Sequence, residues 1–143
     1  MAENMSREDR RLTLEELKRE AARAWRELRH GSIVWLVGEL GAGKTAFAKG
    51  VLEAAGAAEA RSPTFSLINE YLTPEGPVFH ADCYRLRDPA EAVDLDFPDI
   101  ERKARLLLIE WPEKGGHFVP PATVTLRFSH CDDPERRLME QLP

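Results

Sequence analysis

The chain has 143 residues, 43% of them hydrophobic and 31% charged, the composition of a globular protein large enough to bury a proper core. Its formal net charge of −5 disfavours strong binding of nucleic acid by the chain alone, because neutralising phosphates supplies much of such binding. The apolar run Leu106 to Ile109 falls far short of the ~20 residues of a membrane helix, and the polar stretch Met1 to Arg11 lacks the apolar core of a secretory signal, so a cytoplasmic protein is expected.

Residues 1–143 read as one domain with a frayed start over 1–11. Thr13 and Glu16 have capping-box spacing, and Leu14, Leu17, Ala21, Trp25 and Leu28 then recur at helical spacing as one buried stripe. Arg19, Arg23, Arg26 and Arg29 are interleaved with glutamates and read as a solvated helix face. Gly31 ends that helix. Ser32 to Val37 is a short apolar run rich in β-branched and aromatic residues, which suits a buried strand. Lys44 to Ala54 reads as a helix. Thr64 to Tyr71 and Val78 to Arg85 read as two strands joined by a turn over Thr73 to Pro77. Asp88 followed by Pro89 marks another helix start, and a further short helix runs from about Pro98 to Arg105. Leu106 to Ile109 is a buried strand ending in Glu110, and Val124, Leu126 and Phe128 alternate with polar residues as a half-buried strand. Cys83 and Cys131 form no Cys-x-x-Cys pair and read as reduced thiols.

The chemistry concentrates at Gly38-Glu-Leu-Gly-Ala-Gly-Lys-Thr45, which matches G-x-x-x-x-G-K-[ST] between a predicted strand and a predicted helix. Glycines at 38, 41 and 43 let the backbone approach phosphates, and the amides of Leu40, Gly41, Ala42 and Gly43 with the helix N-terminus face the anion. Lys44 is a mobile charge for the β- and γ-phosphates, and Thr45 offers a hydroxyl to magnesium. A P-loop also needs an acid at a strand end. Glu110 and Asp82 both qualify, one for the metal and the other for orienting the attacking water. His80, two residues before Asp82, shares its strand face and reads as a supporting or core histidine. Trp111 reads equally as core or as a lid over the nucleotide.

Four blocks in order, Gly38 to Thr45, Ser62-Pro-Thr-Phe65, His80-Ala-Asp-Cys-Tyr-Arg85 and Ile109-Glu-Trp-Pro112, resemble the signatures of the TsaE (YjeE) family of bacterial ATPases. The resemblance implies an α/β fold, a P-loop NTPase-like mixed β-sheet flanked by helices. It implies ATP and Mg2+ as cofactors and a place in the synthesis of threonylcarbamoyladenosine (t6A) in tRNA. The implied partners are TsaD and TsaB, with tRNA reached only through their complex. Carried over by match, Lys44 and Thr45 would hold phosphate and magnesium, Glu110 would be the magnesium-side acid and Asp82 a second active-site acid. Ser62 and Thr64 would lie in a switch-like segment near the γ-phosphate, with Trp111 following the acid. The family's nucleotide contacts near the first helix and the C-terminus fall at Thr13 and at Arg136 or Arg137. A small-molecule kinase and a nucleotide-gated binding subunit without turnover are the alternatives. The stretch from Leu72 to Asp99 is short for the acceptor-binding insertion and lid of a kinase.

Overall fold

The computed structural model describes residues 11–58 and 67–143. Within them the chain runs β1 (Arg11–Leu12), α1 (Leu14–Glu27), β2 (Ser32–Gly38), α2 (Lys44–Ala54), β3 (Ile68–Thr73), β4 (Gly76–Asp82), α3 (Phe97–Lys103), β5 (Leu106–Glu110), β6 (Val124–His130) and β7 (Arg137–Gln141). Two 3-10 segments, Pro89–Leu95 and Pro112–Phe118, complete it. The strands form one mixed sheet in the order β1-β7-β6-β2-β5-β4-β3. Its middle is parallel, with β2 between β5 and β6 and with β4 beside β5, and the outer pairs are antiparallel. This is the α/β architecture expected from the sequence.

Strand alternation divides the core in two. Val34, Leu36, Leu106, Leu108, Leu126 and Phe128 face α1 and α2, where they meet Leu17, Ala21, Trp25, Phe47 and Val51. Phe79, Ala81, Leu107 and Ile109 face the opposite side, covered by α3 and the first 3-10 segment through Phe97, Ile100 and Ala92, and by Val119 just past the second. Burying each large side chain contributes about 1.5–3 kcal/mol, which fixes the strand register. Glu110 has the parity of Leu106 and Leu108, so it emerges on the α2 side of the sheet.

Several boundaries differ from expectation. Thr13 does cap α1 with Glu16 reaching back, but Leu14 is exposed: it belongs to the first turn, beyond the reach of the core. The Asp88 start opens a 3-10 segment, again with a capping box, through Glu91, and Asp96 in the left-handed region separates it from α3. The β3–β4 turn is tighter than predicted, because pairing continues to Thr73 opposite Gly76. Arg11, placed in the frayed start by its polarity, pairs with Leu138. Nothing in the sequence analysis anticipated β7. Its alternation is blurred by Arg137, Glu140 and Gln141, as befits a strand near the sheet edge.

Candidate active site at the carboxyl ends of the parallel strands

The phosphate-binding loop leaves the end of β2 and enters α2 at Gly43, whose φ of 109° a side-chain-bearing residue rarely adopts. Gly38 needs its missing Cβ for a different reason, since one there would stand 2.0 Å from the carbonyl oxygen of Phe128 on β6. The loop is also tied to β6 and β7 by side chains. Glu39 Oε1 accepts from the His130 amide at 3.1 Å, the His130 ring bonds the Leu40 carbonyl at 2.9 Å, and Arg137 Nε donates to the Gly41 carbonyl at 3.2 Å.

Lys44 is buried, with Nζ donating to the carbonyls of Gly38 (2.8 Å) and Glu39 (2.6 Å). Burial lowers the pKa of its ammonium, and the charges of Glu110, Glu113, Asp82 and Glu39 oppose that shift. The ring of Trp111 lies over this ammonium at 4.5 Å, and Tyr84 packs against Trp111 at 4.9 Å between centroids. Trp111 takes φ 55° and ψ 49°, a left-handed conformation costly for an aromatic residue and typical of residues held for a purpose. Trp111 also packs against the second core, in keeping with its reading as a core residue.

Glu110 is only 2% exposed. Its carboxylate accepts from Thr45 Oγ1 at 3.0 and 3.1 Å and contacts His80 Nε2 at 2.6 Å. A carboxylate only accepts, so Nε2 is the donor. Asp82 pairs with Glu110 across the β4–β5 register, but its side chain is exposed and accepts from the Tyr84 amide. Asp82, Glu110, Lys44, Thr45, Tyr84 and Trp111 all line one open cavity of about 290 Å³.

A second cavity, of about 310 Å³, lies on the other side of the loop. Thr13, Leu14, Gly41, Gly43, Glu135 and Arg137 are among its walls. Arg136 points elsewhere, to the Arg11 carbonyl at 2.8 Å and Glu16 at 3.0 Å. The two arginines thus part company, with Arg137 at the loop and Arg136 at the start of α1. Ser62 and Thr64 lie outside the described residues. Sequence reasoning left out Tyr84, His130 and the direct His80–Glu110 contact. The block His80 to Arg85 contains both His80 and Tyr84, and the His80/Asp82 spacing put two of its side chains on one strand face, whereas His130 carried no signal.

A profile of the family described as "Threonylcarbamoyl adenosine biosynthesis protein TsaE" matches residues 12–138. The chain belongs to the TsaE family. A Haemophilus influenzae protein named tRNA threonylcarbamoyladenosine biosynthesis protein TsaE is 37% identical over 102 residues, which is 71% of this chain and 65% of that protein. The match thus spans just under two thirds of that relative's length. A Bacillus subtilis protein of the same name is 34% identical over 76% of this chain and 68% of its own. The crystal structure of Bacillus subtilis YdiB superposes with a TM-score of 0.73 at 27% identity, covering 91% of this chain and 80% of that one. As a TsaE-family member the chain shares its P-loop fold with that structure, and no helix among the described residues is long and apolar enough to cross a membrane.

Proposed function

We propose that the chain is the magnesium-dependent ATPase subunit of the machinery that makes threonylcarbamoyladenosine in tRNA, acting with TsaD and TsaB and meeting tRNA only through that complex. The names of the TsaE relatives support the pathway. The observation that carries the chemistry is the contact between the P-loop hydroxyl of Thr45 and the buried carboxylate of Glu110. A hydroxyl and a strand-end carboxylate are the hard oxygen donors magnesium takes, and this ion usually takes only one or two carboxylates beside the phosphates. Thr45 and Glu110 would hold it, and it would supply charge neutralisation at the β- and γ-phosphates.

The remaining roles belong to the chain's own groups. The amides of Leu40, Gly41, Ala42 and Gly43 and the start of α2 bind phosphate oxygens. Lys44, whose ammonium donates to the Gly38 and Glu39 carbonyls within the loop, turns to the β- and γ-phosphates. Asp82, exposed beside Glu110, orients the attacking water. Trp111 screens Lys44 from solvent. The second cavity takes the nucleoside, with Thr13 and Arg137 on its walls. Arg136 serves there indirectly, by fixing the start of α1 through Glu16. Ser62 and Thr64 keep the switch-like role that the family resemblance gives them.

Phosphate release from ATP with magnesium tests this, first with the chain alone and then with TsaD and TsaB. A slow basal rate that rises sharply with the partners is expected. Lys44→Ala and Glu110→Ala should each reduce it by at least about 100-fold while circular dichroism stays native. A rate that needs a small-molecule acceptor would move the assignment to a kinase. Binding without any phosphate release would leave a nucleotide-gated subunit.

A further inference from the structure

We infer that His80 is a positioning residue that sets the orientation of the Glu110 carboxylate for the cation site, an inference that rests on the magnesium reading above. Glu110 is buried, and an ionised carboxylate in such a place is retained only with donors around it. Among the described residues it has two side-chain donors, on different sides. The Thr45 hydroxyl spans both oxygens from α2, and His80 Nε2 reaches Oε2 from β4 at 2.6 Å. One shared hydroxyl leaves the plane of a carboxylate free to turn about its last bond, whereas a second donor on one oxygen fixes it.

The fold holds the histidine rigidly. His80 stands beside Leu108 in the β4–β5 register, two residues before Asp82, and its side chain is only 13% exposed. The same two strands that bring Asp82 beside Glu110 therefore bring the donor that orients Glu110. The arrangement also leaves Thr45 suited to the ion. While its hydrogen points to Glu110, its oxygen lone pairs face away from that carboxylate. With the histidine removed, Glu110 can rotate, Thr45 loses its fixed acceptor, and both donors to the cation are displaced together. A purely structural histidine would instead affect stability without touching the magnesium dependence of nucleotide binding.

The test measures affinity for a non-hydrolysable ATP analogue by calorimetry, with magnesium and with a chelator, on the full chain. His80→Leu removes the donor, and His80→Gln restores an N–H near the position of Nε2. In His80→Leu we expect affinity under chelator to stay within about twofold of wild type and the gain on adding magnesium to fall about 10- to 100-fold. His80→Gln should recover most of that gain, with its melting temperature as a check on folding. Full retention of the magnesium gain in folded His80→Leu overturns the inference, as does an equal loss with and without the ion. A folded His80→Gln as defective as His80→Leu also overturns it. If wild type itself shows no magnesium gain, the magnesium reading fails first, and the two failures are thereby told apart.

Discussion

Cys83 shows how one residue's surroundings set a measurable property of the whole protein. It follows the last residue of β4, is fully buried, and its amide donates to the Glu110 carbonyl at 3.0 Å. Burial first, then the nearby charges of Asp82 and Glu113, raise its thiol from the usual 9.0 to about 11. The folded state therefore keeps a proton that the unfolded chain gives up, and the corresponding stability is present below pH 9 and is lost as pH rises towards about 11. The loss amounts to at most about 2–3 kcal/mol. Urea unfolding at pH 8 and near pH 11 should show a clearly smaller decline in Cys83→Ala than in wild type, whatever the cost of the substitution at pH 8. Equal declines in the two proteins would mean that the thiol titrates freely in the fold. The sequence marked Cys83 only as a thiol without a pairing motif. Its burial depends on α3 and on the 3-10 segments closing over the second face of the sheet, which no local pattern announces.

At the scale of elements, the legible parts were those with strong local signals. Thr13 and Glu16, Asp88 and Glu91, and the glycines around α2 each announce a terminus through chemistry within four residues. The apolar run before Glu110 announced β5 to the residue, because a strand buried on both faces needs no alternation. What could not be read was how separate elements are fastened together, and Arg105 is the clearest case. It is 6% exposed, and its guanidinium stacks 4.3 Å from the centre of the Trp25 ring, donates to the Leu28 and Arg29 carbonyls just past α1, and pairs with Glu75 in the β3–β4 turn. One side chain thus closes the C-terminal end of α1 and ties it to a hairpin some fifty residues further along the chain. Arg105→Ala should cost about 2–4 kcal/mol in chemical denaturation, from the lost charged hydrogen bonds and the lost stacking. Arg105→Lys should recover less than half of that, since an ammonium lacks the planar fork that serves these partners at once. A fully stable lysine variant would show that charge alone suffices at this position.

At the scale of the whole molecule, β2 stands at the middle of the parallel strands, with β5 on one side and β6 on the other. Such a reversal of strand order opens a crevice at the carboxyl ends, and the P-loop leaves β2 at that end. Motif and apolar run were enough to predict that Glu110 and the loop would meet there. The strand order itself was closed to sequence reading, because every parallel pair here joins segments tens of residues apart and hydrophobic pattern does not choose among such partners. The same geometry makes nucleotide binding a property of the entire fold, since the loop rests on β6 and β7 through Phe128, His130 and Arg137 while its acid arrives from β5. A ligand that binds only this assembled state must raise the stability of all of it. At a hundredfold excess over its dissociation constant a ligand adds about 2.7 kcal/mol. For a chain of 143 residues that corresponds to a rise in melting temperature of about 5–10 °C. The non-hydrolysable ATP analogue with magnesium should give this shift in wild type. Lys44→Ala should lose most of it, and Thr45→Ala should lose mainly the part that depends on magnesium. A shift that survives unchanged in Lys44→Ala would put the nucleotide somewhere other than the P-loop and would undo the reading of this cleft as the active site.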